Sequence, residues 1–526
     1  MKRSEGGLAH RTITGMVWTA WGKGARAVLQ FLILAAMARL LSPTEFGVVS
    51  AALVVTGFST IFSQIGLGPA LVQRPELEPR HLDTAFGGSV MFGTLLGAIV
   101  WLGAPAAAQF LRIESVQPVL RVLAWIFPVQ GIGIAAESLM RRELRFRWLA
   151  NLEVATYGLG FGVVGIALAL AGWGVWALVV GQMTQVIVRT AVLVAARPPN
   201  LRHPFEPRAF GELFYLGGGF TLARAADYVA GKGDNLLVGR YLGPEALGFY
   251  GRAYSLMSAP AYAYGAVLAD VLFPAMAKVQ DNPRRLAAAY RRGVAFIALL
   301  TLAPSAALIL LAPEFIDVAL GHRWVAAVLP FQILSIGMLF RTSYKMSDAL
   351  ARGTGAVYRR AWRQILYAAL VLSGAWIGKQ WGMAGVAWGV LGALTINFLL
   401  MAELSLEVAA LRWWDFWQIH VPAVRLTVAS LPFVWGTAAA LRHWSVPPLG
   451  VLIAATCATA ASMALLCWQA PRFFLGPDGL WVLDALRTYL PRKQVASRPT
   501  AAVERSVPDS AAVEEARSPA GPIAAG

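Results

Sequence analysis

The residues best placed to do chemistry in this chain are ionisable groups spaced along helices that are otherwise apolar. Thr19, Lys23, Arg26 and Gln30 recur at helical spacing and make one polar stripe. Arg224, Asp227, Gly231 and Asp234 share a second face, with Lys232 and Asn235 beside it. Arg341, Lys345, Asp348 and Arg352 form a third, next to Tyr344. An ionised side chain near the bilayer centre costs roughly 2.5–3.5 kcal/mol, so such groups face a wet cavity or a partner. Two readings follow. Structural ion pairs, or long side chains reaching back to the interface, suit Arg189, Arg252, Asp270 and Arg352, which stand near helix ends. A cavity suits Lys23 and Arg26, which stand mid-helix, and with them Arg224, Arg341 and Lys345. These cations would bind an anion such as a phosphate or pyrophosphate head group, and would suit a cationic ligand badly. Asp227, Asp234, Asp348 and Glu137 would either pair with cations or carry a coupling proton or sodium ion.

The elements that position these groups are membrane helices. Of 526 residues, 57% are hydrophobic and only 14% charged, with mean hydropathy +0.59. A soluble domain carries roughly 25% charged residues. Apolar stretches of the roughly 20 residues needed to cross a bilayer recur along nearly the whole chain. The spacing predicts an all-α polytopic membrane protein of about fourteen helices. These are 13–38, 46–71, 84–111, 116–140, 149–171 and 174–196, then 212–239, 246–276, 293–312, 326–351, 358–378 and 383–406, and a final pair near 421–441 and 447–468. The expected organisation is an N-lobe (1–196), a linker (197–211), a C-lobe (212–407), helices 13 and 14 (408–470) and a largely disordered cytoplasmic tail (471–526).

The net charge of +17 does not signal nucleic acid, because the arginines cluster in short links between apolar segments. Even-numbered links hold Arg74 and Arg80, Arg141 to Arg147, Arg197 to Arg208, Arg284 to Arg292 and Arg352 to Arg363, whereas odd-numbered links hold at most one basic residue each. By the positive-inside rule both termini are expected in the cytoplasm. Trp148, Trp173, Trp324, Trp413 and Trp414 stand near helix ends, as an interfacial belt would. Cys457 and Cys467 have no redox or metal spacing and read as thiols within the membrane. No nucleophile–base arrangement, paired-carboxylate motif or metal-ligand spacing stands out, so neither a catalytic site nor a cofactor is expected.

An internal repeat relates the halves. Arg39-Leu40-Leu41-Ser42-Pro43-Thr44-Glu45-Phe46-Gly47 matches Arg240-Tyr241-Leu242-Gly243-Pro244-Glu245-Ala246-Leu247-Gly248 as R-x-L-x-P-x-x-x-G, each after the first helix of its half. Gly174-Val175 with Val179 and Gly181 likewise matches Gly385-Val386 with Val390 and Gly392 at the sixth helix. Six helices per unit keep both halves in one orientation, about an axis along the membrane normal, a plan that puts a substrate site between halves.

The segment Thr19–Arg74, with AWGKGARAVLQFLILAAMARLLSPTEFGVVSAALVV and then GLGPALVQR, resembles the opening of the polysaccharide transporter family. That family comprises the Wzx-type flippases of the multidrug/oligosaccharidyl-lipid/polysaccharide superfamily. DNLLVGRYLGPEALGFYGRAYSLMSAP (Asp234–Pro260) is similar to the start of the family's second half. The resemblance implies two pseudo-symmetric six-helix lobes around a cavity lined by helices 1, 2, 4, 7, 8 and 10. It also implies a non-enzymatic flippase moving polyprenyl-pyrophosphate-linked oligosaccharide repeats across the bacterial inner membrane, for exopolysaccharide or lipopolysaccharide. The partners implied are that lipid-linked oligosaccharide, membrane lipid, and a polysaccharide polymerase with chain-length and export machinery. A multidrug exporter, a peptidoglycan-precursor flippase and a membrane polysaccharide polymerase are the alternatives.

Overall fold

The computed structural model describes residues 24, 27–63, 67–74, 78–199 and 206–489. They are helical almost throughout. The first half holds α1 (Ala27–Leu40), α2 (Pro43–Ser63), α3 (Leu67–Gln73), α4 (Pro79–Leu111), α5 (Val116–Leu123) and α6 (Ile126–Arg142). It continues with α7 (Phe146–Tyr157), a π-helical stretch at Gly158–Gly165, α8 (Ile166–Leu170) and α9 (Val175–Ala196). The second half holds α10 (Pro207–Lys278), α11 (Pro283–Leu310), α12 (Ala312–Ala319), α13 (Val328–Ile336), α14 (Met338–Gly353), α15 (Val357–Gly378) and α16 (Gly382–Ala409). Then follow α17 (Trp413–His443), α18 (Pro448–Gln469) and α19 (Pro471–Tyr489).

Among the described residues, nine helical stretches are long and apolar enough to cross a membrane. A tenth arises if the pair His322–Ile336 and Met338–Gly353, bent by 43°, is one span. The expected seventh and eighth helices run together as α10, which breaks only at Gly243, where φ is +88°. That left-handed conformation is open to glycine and costly for a residue with a Cβ. The stretch 471–489, expected to belong to the tail, is instead the helix α19. Its Phe473, Phe474, Leu475, Leu480 and Trp481 give it apolar surface that a charge count overlooks.

Local sequence explains how α2 begins. Pro43 occupies its first position, where no amide hydrogen is needed. The Ser42 hydroxyl accepts from the Glu45 amide at 3.3 Å, while the Glu45 carboxylate accepts from the Ser42 amide at 2.7 Å and from its hydroxyl at 2.9 Å. This reciprocal cap satisfies donors that a helix start leaves orphaned. Lipid tails are as apolar as leucine, so close packing of small residues must hold such helices together. Gly374 and Gly378 of α15 lie against Gly389 and Gly385 of α16 with their backbones touching. Between α4 and α6, Gly93 lies against the Phe127 backbone and Gly131 against that of Ser89, where an added Cβ would in each case stand 2.5 Å from the carbonyl oxygen. In the first half, Gly160 meets Gly181 of α9 in the same way.

Candidate functional site

The two copies of R-x-L-x-P-x-x-x-G meet face to face. Gly47 lies against the carbonyl of Pro244, and Gly248 against the carbonyl of Pro43, each so near that any side chain would overlap it. Because Pro43 corresponds to Pro244 and Gly47 to Gly248, each contact is the other with the halves exchanged. A two-fold interface has this property. The axis runs between α2 and the second part of α10, where a Cβ on Gly251 would stand 3.7 Å from the hydroxyl of its counterpart Ser50. The two arginines of the motif also reach across. Arg39 Nη2 donates to the Val318 carbonyl in α12 at 2.9 Å. Arg240 donates to the Phe110 carbonyl at the end of α4 and lies 4.2 Å over its ring.

Trp324 completes this clasp and is not part of an interfacial belt. Its indole is fully buried, edge-on to Phe46 at 5.4 Å and Phe249 at 5.8 Å. Its Nε1 donates to the Ala38 carbonyl at 2.9 Å. A tryptophan whose nitrogen finds a partner in another half has more to gain inside than at the lipid surface. Trp173 and Trp414, by contrast, are well exposed. Further along the same interface, the Tyr228 hydroxyl donates to the carbonyls of Leu53 and Val54 in α2, at 3.1 and 3.0 Å.

Away from the clasp, charged side chains gather between α10, α14 and α15. Asp348 is buried and held by Arg352 at 2.9 Å and by Arg360 of α15. Asp227 of α10, nearly half exposed, stands 3.9 Å from the same Arg360. Lys345 lies one turn before Asp348, its ammonium 4.9 Å over the Tyr344 ring. Arg341 is buried one turn earlier still. Its Nη1 donates to the Tyr254 hydroxyl at 2.6 Å and its guanidinium stacks 4.8 Å over that ring. Lys232 approaches the same ring at 5.6 Å. Asp234 is buried deeper in the second half, accepting from the Tyr250 hydroxyl at 2.8 Å and from Asn235.

The structure therefore brings Asp227, Arg341, Lys345 and Asp348 to one region, with Asp234 two helical turns from Asp227 on α10. Glu137 lies elsewhere, paired with Arg141 at 2.7 Å and with Arg189 of α9 at 2.9 Å, inside the first half. Lys23 and Arg26 lie outside the described residues, as does the side chain of Arg224. Arg360, Tyr250 and Tyr254 were missed by the sequence. Arg360 sat within an arginine-rich link and counted only toward orientation, and the tyrosines look like ordinary apolar helix. Their spacing of four residues, on a helix carrying Asp234, was the available signal. Among the described residues no group of three His, Cys, Asp or Glu side chains is arranged to hold a metal ion.

Residues 36–329, more than half of the chain, match the family described as polysaccharide biosynthesis protein. The chain belongs to that family. It is 25% identical over 83% of its length to the teichuronic acid biosynthesis protein TuaB of Bacillus subtilis (strain 168), covering 91% of that protein. It is 27% identical over 66% of its length to the succinoglycan biosynthesis transport protein ExoT of Rhizobium meliloti (strain 1021), covering 71% of it. The fold matches that of the lipid II flippase MurJ in an inward closed conformation, with TM-score 0.71 over 87% of this chain and all of that one, at 12% identity. The family drawn from the opening segment and from Asp234–Pro260 thus holds, and the chain has an all-α, multi-pass fold shared with that flippase.

Proposed function

We propose that the protein is a flippase that carries polyprenyl-pyrophosphate-linked oligosaccharide repeats across the bacterial inner membrane by alternating access, for exopolysaccharide or lipopolysaccharide assembly. The reading takes fourteen spanning helices in two six-helix lobes plus a peripheral pair, with both termini cytoplasmic. The observation that carries it is the contrast between the clasp that joins the halves and the charged cluster within the second half. At the clasp the halves interlock through backbone and aromatic contacts. In the cluster, Arg341, Lys345 and Arg360 present cations from α14 and α15, balanced by Asp227 and Asp348. Such a surface recognises a pyrophosphate, since a guanidinium matches phosphate oxygens in charge and shape. Entry of that group would draw Arg360 away from its carboxylates, and a carboxylate released in this way is the natural carrier of a coupling proton or sodium ion. Two relatives named for teichuronic acid and succinoglycan biosynthesis support a polymer precursor as cargo. A polysaccharide polymerase and chain-length or export machinery would take the product on the far side.

The test is mass analysis of lipid-linked oligosaccharides in a deletion strain, with complementation by Lys23→Gln and Arg341→Gln variants that insert normally. Deletion should leave repeat units on the polyprenyl carrier and lower surface polymer. Both variants should complement poorly. Full export by both would remove the binding role, and accumulation of a peptidoglycan precursor instead would reassign the cargo.

A further inference from the structure

A second cationic site lies outside the interface between the halves, where α19 folds back on α17 and α11. Gly476, at φ +65°, breaks α19 and seats it against Pro422 of α17, where a Cβ would stand 2.8 Å from the proline ring. The three helices enclose a cavity of about 490 Å³ bordered by Arg291, Arg425, Arg472, Trp414, Trp417 and Asp478. The charges do not cancel. Arg291 is matched by Asp478, whose carboxylate lies 3.1 Å from its Nη2. Arg425 stacks 4.4 Å over the Phe473 ring, and among the described residues no carboxylate pairs with it. Arg472 is exposed and equally without a carboxylate among the described residues.

Arg425 is exposed about one turn into the apolar stretch of α17, near the head-group boundary, where an unbalanced guanidinium still carries a cost. An anion between Arg425 and Arg472 removes that cost. The walls specify what kind of anion. Trp414 and Trp417 are exposed on the helix-start side of Arg425, and beyond it the exposed Val428 and Trp435 carry an apolar strip along the same face of α17 into the hydrocarbon region. A ligand that matches both features has a phosphate at one end and acyl chains at the other. Basic pockets between membrane helices bind lipid head groups on this principle. We infer that this cavity is a binding site for an anionic glycerophospholipid of the leaflet at the arginine-rich end, its phosphate held by Arg425 and Arg472. The bound lipid fastens α19 to the bundle and lies apart from the transport path.

Native mass spectrometry of the full chain, delipidated and then titrated with phosphatidylglycerol, cardiolipin or phosphatidylcholine, tests this. The expected result is preferential retention of an anionic lipid, weakened about tenfold or more, roughly 1.4 kcal/mol, in Arg425→Gln/Arg472→Gln. Arg284→Gln, an exposed arginine at the same end, should bind as the parent chain does. Arg425→Lys/Arg472→Lys should retain much of the preference, which separates lost charge from lost fold. Equal retention of phosphatidylcholine by the unaltered chain, or unchanged affinity in the double Gln variant, overturns the assignment. So does displacement of phosphatidylglycerol by equimolar polyprenyl pyrophosphate in the unaltered chain but not in the double Gln variant, which would make the cavity a substrate site, or by equimolar inorganic phosphate.

Discussion

The clasp between the halves and the charged cluster within the second half are built from different materials. In the clasp, contact rests on glycine backbones, proline carbonyls, one buried indole and two arginines that donate to carbonyls. In the cluster, the charged groups of α10, α14 and α15 pair with one another. Backbone-to-backbone packing is short-ranged and lost over a fraction of an ångström. It makes a contact that is either formed or broken. Ion pairs act over a longer range, can exchange partners and tolerate a new anion. Under the proposed function, the difference suits a gate at the clasp and a binding surface at the charged cluster.

The largest expected effect comes from locking the gate. Ser50→Cys with Gly251→Cys, in a chain whose Cys457 and Cys467 are replaced by serine, should form a disulfide. The Cβ of residue 251 would stand 3.7 Å from the present Ser50 hydroxyl, which brings the two side chains within reach of such a bond. Polymer export should stop on oxidation and return on reduction. Export that continues while the bond is intact would show that the clasp need not open.

Next in size is the charged cluster. Asp348→Asn leaves Arg352 and Arg360 without their shared carboxylate and should lower stability in detergent by about 2–3 kcal/mol, moderated because Arg352 is half exposed. Asp227→Asn removes a longer, nearly half-exposed contact and should cost less than about 1 kcal/mol. Thermal unfolding that ranks the two equally would remove the distinction between a buried anchor and a loose partner. Trp324→Phe keeps the ring packing but loses the bond to Ala38, and should destabilise by about 1 kcal/mol in the same assay.

The smallest effect concerns Glu314 of α12, near the clasp, which accepts from Arg442 of α17 at 2.7 and 2.9 Å. Burial alone would raise its carboxyl pKa, but the hydrogen bonds and charge of Arg442 outweigh this and hold it below the ordinary 4.5. A depressed carboxylate contributes stability that is complete above its unfolded value and fades as pH falls through its folded one. The difference in unfolding temperature between the parent chain and Glu314→Gln should therefore be constant above about pH 5.5 and shrink below about pH 4.5. A difference that persists at pH 3 would assign the effect to packing.

Much of this could be read along the chain. Hydropathy marked the apolar stretches, and the stripe on Arg341, Lys345 and Asp348 did fall on one helix beside Asp227. Other features resisted. Trp324 looked like a belt residue because position near a helix end cannot reveal a partner almost three hundred residues away. Arg360 looked like one more basic residue of a link, since nothing local shows that α15 turns its first residues back on α14. The helical character of 471–489 was hidden by proline, glycine and charge near its start.

What the sequence by itself determined is the membrane class, the repeat and the residues that carry charge into apolar helices, because hydropathy and spacing are properties of neighbours along the chain. Only the tertiary structure decided that the two copies of R-x-L-x-P-x-x-x-G meet each other, glycine against proline carbonyl, and that Asp348 belongs to Arg360. Such choices depend on how closely helices far apart in sequence approach, and that distance is set by the small residues packed between them.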